Sequence, residues 1–385
     1  MPAELVAYPA STAEVSAALG VAAAHGLAVV ARGAGTKLDW GAPPERLGLV
    51  IDLSRMSRVL EHASDDLVVR VEAGARLAAL GEALALSRQR LPVDEVVPGS
   101  TVGGVVATGL SGPLRYGHGP VRDLLLGATL VRADGVVARA GSKVVKNVAG
   151  YDLPKLFTGS YGTLGVLTEL TFKLRPLPEA LLFVSASYPG PVELRAVLAE
   201  LVRSQAAPAA LELARPGPGT AIELCALVEG RPRPAELRAA ELSRVMAGAE
   251  VSPAAPPWWG ALPGPVSLKL TAVLSAVPAL ISHASEACAG LGLATAGLSG
   301  SAGAGVLYLG LPATIGPHEL SGLLAELRRA ASEARGHVTL VAAPAGAKSG
   351  LDIWGPVPGL ALMRRVKERF DPARLLAPGR FVGGI

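Results

Sequence analysis

Pro98-Gly-Ser-Thr-Val-Gly-Gly104 places a threonine and two glycines at the start of a helix expected from Val102. A helix start offers amide N–H groups and a favourable dipole to an anion, and Gly103 and Gly104 let a ligand approach the backbone closely. Upstream, Leu27-Ala-Val-Val-Ala31 reads as a short buried strand, and Arg32-Gly-Ala-Gly-Thr-Lys37 as the loop after it. That loop does not open a helix, because Pro43 and Pro44 follow and the next strand is expected at Leu49–Asp52. A Rossmann loop needs a helix there to receive the pyrophosphate. Two readings stay open: a nest of N–H groups converging on a phosphate, or an ordinary tight turn. Downstream, Ala107-Thr-Gly-Leu-Ser-Gly112 continues with small residues, and Thr158-Gly-Ser-Tyr-Gly-Thr-Leu-Gly165 forms a third such run. Each loop alone is a weak signal. Three in this order suggest one extended, phosphate-bearing cofactor.

Around these loops the pattern is α+β. Ser11 and Glu14 have capping-box spacing and predict a helix to about His25, ended by Gly26. Leu67–Val71 is a further strand, and a helix is expected from about Arg76 to Ser87. Ala128–Arg132 and Val136–Arg139 flank Ala133-Asp-Gly135, a hairpin signal. Leu164 to Leu174 reads as the last strand of a first domain, 1–178. In 179–370, strands near 181–187, 208–213, 220–228, 266–273, 293–298, 304–311 and 337–342 alternate with helices near 191–204, 234–247, 276–290 and 317–333. That order predicts an antiparallel sheet with helices on one face, an α+β cap domain. A helix near 360–370 precedes a tail, 371–385, expected to return to the first domain.

Composition excludes several classes. With 385 residues the chain is long enough for two domains and a large core. Charged residues are 18% and mean hydropathy is +0.41, which excludes a disordered, highly charged polymer. Aromatics are only 4% and the basic residues are scattered, so nucleic acid is not an expected partner despite a pI near 9.2. Cys225 and Cys288 form no metal or iron–sulfur pattern and fit a reducing compartment, hence a cytoplasmic protein. No signal peptide is read at the N-terminus. The uncharged stretch from Ala287 to Pro317 is broken by Gly and Ser and reads as two strands rather than a membrane span. Attachment to a membrane through partners stays open.

The ordered set of motifs resembles the flavin-binding domain of the vanillyl-alcohol oxidase/p-cresol methylhydroxylase superfamily. The residues that carry it are Arg32–Thr36, Pro98–Gly104, Arg115-Tyr-Gly117, Arg132-Ala-Asp-Gly135, Lys146–Leu153 and Gly159–Val166. More narrowly, Gly35–Gly41, Lys143–Leu153 and Phe370–Phe381 resemble the smaller FAD-binding subunits of glycolate oxidases. The resemblance is dense over 1–178 and beyond that rests on length and the tail. It implies a two-subdomain FAD-binding domain followed by the cap. It also implies FAD with its pyrophosphate on Arg32, Gly33, Ala34, Gly35, Thr36 and Lys37 and around Pro98, Gly99, Ser100, Thr101, Gly103 and Gly104. Thr108, Ser111 and Gly112 would line the flavin, Tyr116 would join them, and Gly162 and Val166 would close over it. Covalently flavinylated relatives carry a His after the first glycine loop. Thr36 stands there in this chain, so non-covalent FAD is expected.

Departures from the resemblance shape the functional expectation. Catalytic hydroxy-acid dehydrogenases of the superfamily carry a His-rich metal cluster, and none of His25, His62, His118, His283, His318 and His337 has such spacing. No metal is therefore expected. Those relatives also place an acid where this chain has Tyr161. His118 is a candidate general base or a polar loop residue. Arg115 and Arg122 are candidate carboxylate anchors or partners of Asp123 or Asp94. Lys143 and Lys146 either neutralise flavin charge or are solvated. Trp258-Trp259 is an interface, a lid or a loop anchor. The leading expectation is an FAD subunit of a glycolate oxidase that converts glycolate to glyoxylate with a larger flavin subunit and an iron–sulfur subunit. This chain would support electron transfer rather than hold the main substrate site. A stand-alone hydroxy-acid or alditol oxidoreductase, using Arg115, His118 or Tyr161, and a scaffold with structural FAD are the alternatives.

Overall fold

The structure is a computed structural model that describes residues 3–142 and 151–385. Lys143 and Lys146, with most of the motif around them, lie outside the described residues. The chain divides into two compact units. The first comprises residues 1–111, 119–177 and 356–385, and the second 112–118 and 178–355. The sequence placed a single boundary at 178 and returned only 371–385. In the structure the returning stretch begins earlier, at Pro356, and the short segment 112–118 belongs with the second unit.

The first unit opens with β1 (Leu5–Ala7) and α1 (Thr12–Ala24). Ser11 caps α1: its hydroxyl accepts from Glu14 N at 3.2 Å, while Glu14 accepts from Ala10 N at 2.9 Å. Ser11 thus satisfies the N3 donor of the helix, and Glu14 reaches back one residue before the cap. Val15, Leu19 and Ala22 recur at helical spacing and are buried. β2 (Val29–Arg32) and β3 (Leu49–Asp52) complete a parallel three-stranded sheet ordered β1-β3-β2. β4 (Val59–Ala63) and β5 (Val68–Glu72) lead into α2 (Leu77–Ala85), the short β6 (Gln89–Arg90) and α3 (Val102–Thr108). β7 (Leu125–Val131) and β8 (Val137–Gly141) form the expected hairpin, with Gly135 at φ +80° in its turn. β9 (Val166–Lys173) fills the gap in a five-stranded antiparallel sheet ordered β4-β5-β9-β7-β8, and β10 (Arg175–Pro176) pairs with β6. One continuous core joins α1, β3, β5, α2, α3, β7 and β9. β1 and β4 were not expected. β1 has three residues, and β4 (Val-Leu-Glu-His-Ala) lacks a clean alternation.

The second unit is one eight-stranded antiparallel sheet. In chain order its strands are β11 (Ala180–Tyr188), β12 (Ala210–Arg215), β13 (Ile222–Gly230), β14 (Glu250–Ser252), β15 (Val266–Thr271), β16 (Gly297–Ser301), β17 (Val306–Leu311) and β18 (His337–Ala342). Their spatial order is β14-β11-β13-β12-β16-β17-β15-β18. Four helices pack on it: α4 (Pro191–Arg203), α5 (Pro232–Val245), α6 (Val277–Gly290) and α7 (Pro317–Glu333). The strands alternate. Leu213, Leu224, Leu307 and Leu270 are fully buried on one face. The intervening Glu212, Ser299, Tyr308 and Lys269 share the other face through cross-strand pairing. Phe183 and Leu227 lie on that second face, where Trp258, Trp259 and Leu114 pack against them. Trp259 meets Phe183 edge-on at 5.1 Å, and Trp258 donates to Glu223. The Trp pair is therefore a loop anchor within the second unit.

α8 (Leu360–Phe370) returns to the first unit, as does the segment after it. Val29 N donates to Leu375 O at 2.7 Å and Ala377 N donates to Val29 O at 2.8 Å, so the tail extends the small parallel sheet beyond β2.

Candidate FAD site

Residues 33–38 leave β2 and turn back over the first unit. Gly35, at φ +79°, allows the turn. Among the described residues, the amide groups of Ala34, Gly35, Thr36 and Lys37 find no acceptor within the chain. Their carbonyl side is held from behind. Arg380 Nη2 donates to Lys37 O at 3.1 Å, Leu38 O at 2.9 Å and Trp40 O at 3.1 Å. One buried guanidinium thus gathers three carbonyls and leaves consecutive N–H groups available. The loop is also closed by Leu38 N to Gly35 O at 3.4 Å and Trp40 N to Lys37 O at 3.2 Å, and the N–H groups left over at residues 34–37 could serve as an anion nest.

Lys37 adds a charge to this nest. It is only 7% exposed. Its Nζ donates to Ser100 Oγ at 2.6 Å and Thr36 Oγ1 at 3.1 Å. Ser100 Oγ in turn donates to Val97 O at 2.6 Å, which fixes the acceptor for Lys37. Burial pushes the Lys37 ammonium down from its ordinary range to about 8, with Glu95 opposing the shift.

The start of α3 is used differently from the sequence expectation. Val102 N donates to Ala75 O at 2.9 Å, Gly103 N to Ala73 O at 2.8 Å, and Gly104 N to Thr101 Oγ1 at 3.1 Å. The first-turn donors are satisfied inside the protein, because residues 73–76 run against the helix start. These N–H groups are therefore not available to a phosphate. The glycines serve close packing instead: a Cβ on Gly103 would sit 2.6 Å from Ala73 O, and one on Gly33 would collide with Thr101 Oγ1.

Two adjoining hollows, with open volumes of about 430 and 520 Å³, lie between this loop, α3 and residues 160–167. Both are lined by Gly33, Thr101, Gly104, Ala107 and Gly162. Small residues make room for a ligand here, and a Cβ on Gly162 would meet nothing within 4 Å. Tyr161 lines the second hollow at φ +55°, held by Tyr161 N to Ala107 O at 2.8 Å and stacked on Phe381 at 5.7 Å. An extended groove, a row of open amides and a buried cation without a carboxylate partner fit a dinucleotide cofactor.

The comparisons decide which one. Residues 3–141 match the family described as FAD binding domain. This stretch is an FAD binding domain. Glycolate oxidase subunit GlcD of Bacillus subtilis (strain 168) is 34% identical over 213 residues, covering 55% of this chain and 45% of that protein. Glycolate oxidase subunit GlcE of Escherichia coli (strain K12) is 36% identical over 182 residues, covering 47% of this chain and 50% of that protein. The chain thus spans about half the length of these curated relatives. A solved structure of alkyldihydroxyacetonephosphate synthase matches with a TM-score of 0.70 and 16% identity, over 97% of this chain and 75% of that one. That likeness concerns the fold, an α+β arrangement of FAD-binding domain and cap.

Within the FAD binding domain the expected residues separate. Gly33, Ala34, Gly35, Thr36, Lys37, Thr101, Gly103, Gly104, Thr108, Tyr161 and Gly162 line the hollows. Arg32 lies on β2 and pairs with Asp52 at 3.3 Å. Pro98 and Gly99 precede the α3 cap, and Gly99 O accepts from Arg76. Ser100 is buried beneath Lys37. Ser111 is also buried, with its hydroxyl accepting from Val121 N at 3.0 Å. Val166 is a core residue of β9. Gly112, Arg115, Tyr116 and His118 fall in the second unit. There Tyr116 packs beside Gly303, and His118 Nε2 lies 2.5 Å from Glu229 Oε1. His118 is thus committed to a carboxylate of its own unit. Arg122 reaches Asp123 at 3.7 Å. Arg380 was missed as a site residue, although the sequence placed its segment against this domain. Ala107 and Gly165 lie in the small-residue runs the sequence singled out but were not named as cofactor contacts, and Ala31, at the end of a buried strand, carried no signal of its own.

Proposed function

We propose that the chain is the FAD-carrying subunit of a multi-subunit hydroxy-acid oxidase of the glycolate oxidase type, converting glycolate to glyoxylate at the level of the complex. FAD, when bound, supplies the two-electron acceptor. The open amides of residues 34–37 and the Lys37 ammonium would hold its diphosphate, and the small residues of α3 and Gly162 would admit its ring system. The observation that carries this reading is the side-chain chemistry of the hollows: Lys37, Tyr161 and Arg380 line them, and no carboxylate or imidazole does among the described residues. Arg380 is a cation held by loop carbonyls through its Nη2 and cannot act as a base. His118, the histidine inside a sequence motif, is engaged by Glu229. Removal of a hydroxyl proton calls for a positioned base. The arrangement supports binding and tuning the cofactor, with substrate chemistry supplied by a larger flavin subunit and electrons passed through an iron–sulfur subunit. Thr36 in place of a histidine supports non-covalent attachment.

The test is an anaerobic titration of the FAD-loaded chain with glycolate, followed by flavin absorbance, with dithionite as the control reductant. The expected result is a flavin that dithionite bleaches and glycolate leaves oxidised until the partner subunits are added. Stoichiometric bleaching by glycolate alone would establish a complete hydroxy-acid site in this chain and overturn the proposal. Acid precipitation is expected to release all flavin from the polypeptide.

Among the described residues no helix is long and apolar enough to cross a membrane. Any membrane association would run through the partners.

A further inference from the structure

The α3 start, which usually answers for phosphate charge in such a site, has spent its donors on Ala73, Ala75 and Thr101. Two cations line the hollows: Arg380, whose Nη2 is held by loop carbonyls, and Lys37, whose Nζ meets only hydroxyls. Lys37 is nearly enclosed, its Nζ touches two neutral hydroxyls, and among the described residues no carboxylate lies within ion-pair distance. The ammonium here is desolvated and has no ion-pair partner among the described residues.

Resting on the FAD assignment, we propose that Lys37 recognises the diphosphate of the bound cofactor and takes up a proton as the ligand binds.

The surroundings are consistent with this linkage. Glu95 acts on Lys37 from the segment before α3, but only at a distance. Asp52 is paired with Arg32 at 3.3 Å rather than with Lys37. Arg76, at the start of α2, binds Gly99 O, and Arg380 binds the carbonyl of Lys37 itself. Tyr161 and Asp39 act on Arg380. Burial, rather than a neighbouring cation, lowers the ammonium, and Glu95 opposes that lowering. A diphosphate carries two negative charges and would oppose it far more strongly. Without ligand the amine titrates near pH 8. With a diphosphate beside it the ammonium persists to higher pH. Binding therefore draws a proton in the window above pH 8, and none well below it, where both states are already protonated.

The experiment is isothermal titration calorimetry on the full deflavinated chain, at pH 7 and pH 9, in paired buffers of different ionisation enthalpy. The probes are FAD, ADP-ribose (a diphosphate diester without the flavin) and riboflavin (a flavin without phosphate). FAD and ADP-ribose are expected to take up close to one proton at pH 9 and almost none at pH 7, and riboflavin none at either. FAD affinity is expected to fall about tenfold per pH unit above pH 8. Lys37→Met should abolish the difference in uptake and weaken FAD already at pH 7. Lys37→Arg should keep the pH 7 affinity and lose the uptake, because arginine does not titrate in this range. Any proton of the flavin ring is common to all three proteins and cancels in the comparison. Equal uptake in wild type and Lys37→Met, or a flat affinity from pH 7 to 9, would overturn the proposal and leave the FAD assignment standing. Failure of both FAD and ADP-ribose to bind at either pH would overturn the two together.

Discussion

Lys367 Nζ lies 2.6 Å from Asp371 Oδ2, and the two side chains are 5% and 0% exposed. The same ammonium donates to Thr163 O at 2.8 Å and Leu376 O at 2.9 Å, while Asp371 accepts from Leu375 N and Leu376 N. Every proton of the ammonium has an acceptor. This pair ties the end of α8 to the loop at residue 163 and to the tail that follows.

Breaking such a pair leaves a buried charge without a partner, which costs about 3–5 kcal/mol. Lys367→Met is therefore expected to lower the unfolding free energy by roughly that amount. Chemical denaturation of the apoprotein, read by circular dichroism, measures it. Asp371→Asn should be similarly harmful. A loss below about 1 kcal/mol would place the pair among ordinary surface ion pairs and refute the claim.

The tail leads from this anchor to Arg380 and its three loop carbonyls. Hydrogen bonds from a charged donor contribute about 1.5–3 kcal/mol each. Arg380→Met should release the loop and raise the FAD dissociation constant at least about tenfold, the equivalent of about 1.4 kcal/mol. Flavin fluorescence titration gives the constant. Unchanged affinity would mean that the loop holds its shape without the tail.

Two glycines should fail in different ways. Gly103→Ala sets a Cβ 2.6 Å from Ala73 O, so its main effect should be on folding, about 1–3 kcal/mol by overpacking. Gly162→Ala meets nothing within 4 Å in the chain and carries only the backbone cost of φ +76°, about 1–2 kcal/mol. Its larger effect should be weaker FAD binding, because the methyl enters space the cofactor needs. Thermal melts without and with FAD separate the two. If Gly162→Ala binds FAD normally, the ring system lies elsewhere.

In the second unit, burial and the nearby Arg115 push the Lys269 ammonium down to about 8. The unfolded chain keeps that proton up to about pH 10.5, the ordinary value for the group. Between these values the unfolded state binds more protons than the folded one, so Lys269 hinders folding most below pH 8 and progressively less above it. Lys269→Met should therefore raise the melting temperature at pH 7, and the advantage should shrink as pH climbs towards 10. Melts of both proteins across pH 7–10 test this, and a constant difference would contradict it.

Much of this was legible in the residues. Ser11 and Glu14 marked α1, and Asp134-Gly135 marked the β7–β8 hairpin, because caps and turns are written locally. The order of strands and helices after residue 178 gave an antiparallel sheet with helices on one face. The glycine loops marked residues that line the two hollows. Other features depended on partners distant in sequence. The donors at Val102 and Gly103 looked free because their acceptors, Ala75 and Ala73, belong to another strand end. Arg380 looked like an ordinary tail residue because the carbonyls it gathers lie more than three hundred positions away. His118 was open between a base and a polar loop residue because its partner, Glu229, lies more than a hundred positions away.

Arg380 is synthesised 340 residues after Trp40, whose carbonyl it holds. At roughly 5–20 residues per second, that is an interval of about 17–70 s. During that time the glycine loop exists as nascent chain without the guanidinium that turns its carbonyls back. Cofactor loading is therefore expected to tighten only once the tail has emerged. A ribosome stalled before residue 380 should display an FAD binding domain that holds FAD more weakly than the finished chain does.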